Sequence, residues 1–244
     1  MPINRLYHLG PRFRSKAKTA IVLANCRVFF DFDNTLTKTD VLDDILKTFS
    51  INDQWMVLEK AWVAGAIGTK ECLAGQLKGV RVTKKKLCRY LTNVGLDPHC
   101  YKIFSFLKKE GVPPVILSDN FTPIVEEILK HHVIDGVKVY GNALRFYKDR
   151  IIPSFPYDNP FCPSCAHCKK IHLSRDKNED KLIVYVGDGR SDFCPAQVSD
   201  IIFAKDGLAQ HLSEEGKDFI PYKDLGAVHN YFKEAAYAGP GTGE

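Results

Sequence analysis

The sequence predicts an α/β fold: a doubly wound, Rossmann-like parallel sheet carrying an inserted small helical cap domain. Three observations point there. The β-branched or aromatic runs "VFFDFD" (28–33), "PVILSDN" (114–120) and "LIVYVGDGRSD" (182–192) each end in a polar cluster. Helical periodicity separates the later runs, as in "TPIVEEILKHH" (122–132), and 45–108 shows almost no strand signal. Continuous apolar runs suit strands buried on both faces. In such a sheet, sites form beyond the strand carboxyl ends, so the three polar clusters are expected in one crevice.

The first 30 residues contain no Asp or Glu but carry Arg5, Arg12, Arg14, Lys16, Lys18 and Arg27. Residues 1–27 read as a solvated basic arm, with an organelle-targeting segment as the alternative. The α/β core is expected over 28–44 and 109–234. Between its halves, "QWMVLEKAWVAGAIGTKECLAGQLKG" and "VTKKKLCRYLTNV" read as helices broken at Gly65, Gly68 and Gly79. That is too much chain for one crossover, so 45–108 is assigned to the helical cap over the active face. Lys84, Lys85 and Lys86 read as a solvated helix face, and Trp55 and Trp62, two turns apart, as one packed face. In the helix after the second run, Thr122 is the expected cap and Pro123 the first helical residue. His131 and His132 close that helix, where they meet the dipole favourably. Arg190 is expected to face solvent, and 235–244 to be a flexible tail.

Composition sets outer limits. With 244 residues, 45% hydrophobic and 26% charged, the chain can bury a substantial core. No apolar run approaches the ~20 residues of a membrane span. A net charge of +5 suits an anionic small molecule and calls for neither nucleic acid nor membrane. The eight cysteines are partly scattered through helix-like segments, which reads as a reducing, cytoplasmic setting.

The polar clusters contain what magnesium-dependent hydrolysis of a phosphate ester needs. Asp31 is the candidate nucleophile, and Asp33 the acid that protonates the leaving alkoxide and later activates water. Asp188 and Asp192, with Asp31 and Asp33, offer an all-oxygen set for Mg²⁺, Asp192 from behind the direct ligands. Ser118 is placed to donate to the phosphoryl group, and Lys169 or Lys170 to supply positive charge. A cation and a lysine would offset the repulsion between paired carboxylates.

The ordered set "DFDNT … LSDN … K … GDGRSD" resembles the haloacid dehalogenase (HAD) superfamily of phosphatases. Asp31, Asp33 and Thr35 meet its first motif, Ser118 the second, Lys169 the third, and Asp188 with Asp192 the fourth. The resemblance implies a phosphoaspartate intermediate and a Mg²⁺ held by Asp31, the main-chain carbonyl of Asp33 and an acid of the fourth motif. The second acid, Asp33, favours ester hydrolysis over dehalogenation or ATP-driven transport, and leaves phosphomutase chemistry open. Over 28–232 the chain looks like the phosphoserine-phosphatase-like branch with a helical cap. Within that branch it is similar to the methionine-salvage 2-hydroxy-3-keto-5-methylthiopentenyl-1-phosphate phosphatases. A small phosphorylated metabolite is thus the expected substrate, with phosphoserine the alternative. Asp40 stands where phosphoserine phosphatases carry Glu against the substrate amine, and with Thr35, Asp119 and Asn120 it is assigned to substrate binding. Asn120 replaces a frequent glycine, and asparagine tolerates positive φ well enough to keep a left-handed loop there.

"FCPSCAHCKKIH" leaves a second possibility. Cys162, Cys165 and Cys168, with Cys194 after "GDGRSD", could hold a structural Zn²⁺; reduced packing thiols are the plainer reading. A zinc- or nucleic-acid-binding module built on this cluster and the basic arm is the different-class alternative. It leaves the four aspartates unexplained.

Overall fold

The computed structural model describes residues 23–162, 165–177 and 181–237. Most of the basic arm, with any targeting role, and residues 238–244 of the expected tail lie outside them; the first three residues assigned to that tail, 235–237, are helical. The strands are β1 (Cys26–Phe30), β2 (Val115–Phe121), β3 (Lys138–Tyr147), β4 (Arg150–Ser154), β5 (Leu182–Gly187), β6 (Ile201–Ala204) and β7 (Ile220–Pro221). Five helices lie between β1 and β2: α1 (Val41–Phe49), α2 (Gln54–Val63), α3 (Thr69–Leu77), α4 (Lys84–Leu91) and α5 (Cys100–Lys109). The others are α6 (Thr122–His131), α7 (Lys169–Asp176), α8 (Phe193–Ala196), α9 (Asp206–Glu214) and α10 (Leu225–Tyr237).

The seven strands of the described residues form one sheet in the order β4-β3-β2-β1-β5-β6-β7. Neighbours are parallel except β3 and β4, which are antiparallel. The chain leaves β1 toward β2 on one side and returns to β5 on the other. The crevice outside their carboxyl ends is therefore the switch point of the sheet. Alternation along β1 sends Val28 and Phe30 into the larger core cluster and Phe29 into a second one with Leu117 and Tyr185. Burial on both faces explains the unbroken apolar runs.

The cap limits expected at 45 and 108 both fall inside helices, α1 and α5. Helix α5 packs in the core, its Phe104 ring 5.2 Å from that of Phe30, and is the crossover helix into β2. Helical periodicity alone does not distinguish a crossover from an insertion. Helices α2 and α3 lie side by side so closely that a Cβ on Gly75 would stand 2.7 Å from Leu58 Cδ1. The helical region is also tied to the hairpin, since Val82 N donates to Asp149 O (2.7 Å).

Helix α6 begins one residue earlier than expected. Phe121 is its cap, Thr122 is already helical, and β2 runs straight into it. Lys84, Lys85 and Lys86 are exposed, as their spacing suggested.

Candidate active site

Each candidate side chain is set by a local feature of the chain. Strand β1 stops at Phe30, and Asp31 N donates to Val186 O (2.9 Å), aligning the first aspartate with the end of β5. The turn after Asp33 needs a left-handed residue, and Asn34 supplies it with φ 55°. Thr37 Oγ1 accepts from Asn34 N (3.1 Å) and donates to Thr39 O (2.7 Å), fixing that turn. Asp40 then caps α1, accepting from Asp43 N (2.9 Å).

Lys169 is the centre of the arrangement. It starts α7, is 1% exposed, and its Nζ donates to Asp31 Oδ1, to Asp192 Oδ1 (2.7 Å) and to Ser191 Oγ (2.9 Å). Burial works against its charge, but Asp192 and Asp31 outweigh burial and hold the ammonium protonated, well above its usual range. Lys170 is exposed, so the choice between the two lysines falls on Lys169. Asp192 is saturated: Oδ1 also accepts from Tyr185 OH (2.6 Å), and Oδ2 from the main-chain N–H groups of Asp188 (3.0 Å) and Gly189 (3.1 Å). A Cβ at Gly187 would lie 2.5 Å from Asp192 Oδ2, so the glycine is needed for close approach.

Asp31, Asp188 and Asp192 each offer an oxygen within 4.8 Å of the others. Burial, then the repulsion of Asp192, pushes Asp188 up to about 6. Asp31 is held well above the carboxylate range by burial first, then Asp192, against the pull of Lys169. Three buried acids share one lysine, which touches Asp31 and Asp192. This hard-oxygen set with surplus negative charge fits a divalent cation such as Mg²⁺.

Asp33 accepts from Val41 N (2.9 Å) and from Asn120 Nδ2 (3.3 and 3.2 Å). Burial, then the nearby Asp40, holds it well above the usual carboxylate range. A carboxyl kept neutral at this point is a ready proton donor. A cavity of about 250 Å³ opens beside it, lined on the sheet side by Asp31, Asp33, Asp119, Asn120 and Asp188. Its helical wall brings Asp40, Asp43, Glu59, Trp62 and Leu73.

Several assigned roles change with the geometry. Thr35 is turned inward, its Oγ1 donating to Asp188 Oδ1 (2.8 Å); it orients an acid and does not line the cavity. Ser118 is fully buried, and its Oγ accepts from Asn120 N (2.9 Å). Asp119 and Asn120, its neighbours, reach the cavity instead. Asn120 is extended within β2 and has no positive φ; the left-handed asparagine is Asn34. The Asn120 side chain is used for its amide, which holds Asp33. The four-cysteine set also fails to assemble. Cys162, Cys165 and Cys194 converge, whereas Cys168 is buried and takes a contact from Asn159 Nδ2 (3.6 Å).

Trp62 departs from expectation, whereas Arg190 is exposed as expected. Helix α2 buries none of its residues; Trp62 borders the cavity and its Nε1 donates to Thr69 Oγ1 (2.9 Å). Arg190, although exposed, donates to Val63 O (2.9 Å) and lies 5.3 Å from the Trp62 ring.

Sequence reasoning missed a supporting layer. Tyr222 OH stands 3.4 Å from Thr35 Oγ1 and donates to Gly187 O (3.3 Å). His167 Nδ1 meets Ser118 O (2.7 Å), and its Nε2 meets His172 Nε2 (2.8 Å). The carbonyl fixes the proton on Nδ1 of His167, so His172 donates from Nε2 and its Nδ1 is left as a buried lone pair without a partner. Burial lowers His167 to about 3 and His172 to about 4. A signal existed for Tyr185 alone: a phenol inside an apolar strand needs a partner.

A carboxylate pair after the central strand, a buried lysine and a second acid pair at the next carboxyl end define a HAD-type phosphatase. The family described as Putative Phosphatase matches residues 26–219, and the chain belongs to it. Phosphoserine phosphatase of Homo sapiens is 25% identical over 197 residues, covering 79% of this chain and 88% of that protein. The 2-hydroxy-3-keto-5-methylthiopentenyl-1-phosphate phosphatase of Bacillus velezensis is 24% identical over 206 residues, covering 82% and 87%. Among solved structures, phosphoserine phosphatase from T. onnurineus shares the fold with a TM-score of 0.64 at 17% identity, covering 86% and 96%. The chain is a phosphoric monoester hydrolase acting on small phosphate esters. Phosphatases of this kind generally use Mg²⁺. No helix among the described residues is long and apolar enough to cross a membrane.

Proposed function

We propose that the protein is a Mg²⁺-dependent phosphomonoesterase working through a phosphoaspartate on Asp31. The observation that carries this reading is the convergence of Asp31, Asp188 and Asp192 on Lys169 at the switch point of the sheet. Asp31 and Asp188, with the main-chain carbonyl of Asp33, would hold the cation, and Asp192 would orient Asp188 and Lys169. When bound, Mg²⁺ supplies positive charge to the phosphoryl oxygens. An Asp31 oxygen attacks phosphorus as the ester P–O bond breaks. Asp33 gives its proton to the departing alkoxide, then takes one from the water that attacks the phosphoaspartate, releasing phosphate and restoring Asp31. Lys169 holds Asp31 in place and offsets charge on the phosphoryl group. In this reading α2 to α4 form the cap, and α5 belongs to the core.

The cavity supports two substrate readings. Leu42, Cys72, Leu73 and Trp62 offer an apolar wall that suits a methylthio sugar phosphate of the kind named for the Bacillus velezensis relative. Asp40, Asp43 and Glu59 offer carboxylates that suit an ammonium group, as in phosphoserine. Hydrolysis of p-nitrophenyl phosphate with and without Mg²⁺, alongside Asp31→Asn, tests the chemistry; metal-independent turnover, or full activity in the variant, refutes it. A panel of phosphorylated metabolites ranked by kcat/KM tests the substrate.

A further inference from the structure

The described residues hold a second group of metal-ligating side chains, chemically unlike the first. Cys162 and Cys165 lie in the segment between β4 and α7, and Cys194 lies in α8, immediately beyond the turn that carries Asp188 and Asp192. The Sγ atoms of Cys162 and Cys165 are 3.4 Å apart, and all three thiols lie within 4.8 Å of one another. We propose that Cys162, Cys165 and Cys194 bind a thiophilic d¹⁰ cation, Zn²⁺ foremost, which clasps the approach to Lys169 onto the Asp188–Asp192 turn.

The dimensions agree with that use. Sulfurs held at ~2.3 Å around a tetrahedral zinc stand about 3.8 Å apart. The Cys162–Cys165 separation of 3.4 Å lies just inside that value and no pair exceeds 4.8 Å, so small side-chain rotations close the site. All three cysteines are half-buried, open enough for an ion to enter and sheltered enough for thiolates to outcompete water. Three protein ligands leave a fourth position for water.

Ligand chemistry separates this site from the phosphatase centre. Thiolates select soft or borderline cations, whereas the aspartate set selects hard ones, so each site discriminates against the other's ion. The ligand set is also not the three-cysteine run of the sequence. It takes the first two cysteines of that run and replaces the third, Cys168, with one from beyond the fourth motif. The clasp thereby joins the two segments whose side chains meet at Lys169 and Asp192 (2.7 Å). It does not depend on the phosphatase reading, because metal stoichiometry is measured without turnover.

The test uses the full chain purified without chelator, then dialysed against equimolar ZnCl₂ in the presence of excess Mg²⁺. Mass spectrometry of the metal is expected to give about one zinc per chain in the wild type and in Cys168→Ser, and less than about 0.1 in Cys194→Ser. Replacement by Co²⁺ is expected to give an intense near-ultraviolet thiolate-to-cobalt band in the wild type. Carboxylate ligation at the aspartates cannot produce that band. Less than about 0.1 zinc per wild-type chain, full stoichiometry in Cys194→Ser, or cobalt bound without the band each overturns the proposal. The cobalt measurement needs the wild type alone, so a variant that fails to fold does not rescue the idea.

Discussion

Two groups of acids face each other across the cavity, and they are treated oppositely. Behind the sheet end, Asp31 and Asp192 are bound by Lys169, and Asp192 by Tyr185 and two main-chain amides as well. On the helical wall, Asp40, Asp43 and Glu59 line open space, and burial holds Asp40 up to about 6 and raises Glu59. The first group is fixed in geometry before any substrate arrives, which is what electrostatic preorganisation requires. The second is held more loosely, Asp40 by the Asp43 N–H (2.9 Å), Asp43 by the exposed Lys47 (3.5 Å) and Glu59 by Gln76 Nε2 (2.9 Å), and it faces whatever enters the cavity. In the proposed reading, chemistry and recognition are divided between tightly compensated and loosely compensated charge.

The comparison breaks most visibly at its compensated side. Asp31→Asn is expected to lower kcat by at least about 10⁴-fold, the scale set by losing a nucleophile. Single-turnover kinetics with p-nitrophenyl phosphate checks it, and trapping of a phosphorylated chain should fail in parallel. Lys169→Met leaves buried acids without their cation and is expected to cost about 3–5 kcal/mol of stability in metal-free buffer. Urea unfolding measures this; a loss below about 1 kcal/mol would show that the acids are compensated elsewhere.

On the loosely held side the expected effect is smaller and selective. Asp40→Asn should lower kcat/KM about 10- to 100-fold for an ammonium-bearing phosphoester, and leave p-nitrophenyl phosphate within about threefold. An equal loss on both substrates would assign Asp40 to capping α1 rather than to recognition.

This division also explains what was legible in the sequence. Asp31, Asp33, Asp188 and Asp192 stand out because they follow closely after buried apolar strands, Lys169 stands out by its place in the motif order, and Asp31, Asp188 and Asp192 come together with Lys169 contacting two of them. Orientation was not legible. Nothing in "DFDNT" says that Thr35 turns toward Asp188, or that Asn34, not Asn120, takes the left-handed turn. Those choices depend on strands brought together only by folding. The antiparallel β3–β4 hairpin was hidden for a related reason: its half-exposed residues make no continuous apolar run.

Behind the compensated group, His167 and His172 sharpen the contrast, since they are buried without charge. An unfolded imidazole gains its proton near pH 6.5, whereas the folded pair does so only at about 3 and about 4. Between these limits the unfolded chain binds more protons, so this contribution is complete above pH 6.5 and is lost as pH falls. At pH 5 the loss is about 2 kcal/mol per imidazole. Asp40 and Asp119, held up to about 6 chiefly by burial, act with the opposite sign: their folded forms bind protons first, so stability rises as pH falls through 6. Net stability therefore conceals the pair, and NMR of the imidazole carbons is the direct measurement. Both rings should remain neutral in the folded protein at pH 5; a midpoint near 6.5 for either would remove the buried pair from the account.

The smallest effect belongs to Arg190, a cation at the edge of the cavity. Arg190 sits between Asp188 and Asp192 in sequence, yet its guanidinium donates to Val63 O and rests near the Trp62 ring on the helical wall. It is exposed, so water screens the contact, and a cation–π pair of this kind contributes only about 0.5–1 kcal/mol. Arg190→Ala should therefore leave kcat for p-nitrophenyl phosphate unchanged and raise KM about two- to fivefold for substrates that reach Trp62. Arg190→Lys should recover little of that, because a point charge lacks the planar face that lies over the indole. A fall in kcat in place of a rise in KM would mean that Arg190 positions Asp188 and Asp192, and that the two groups of acids are coupled through it rather than divided.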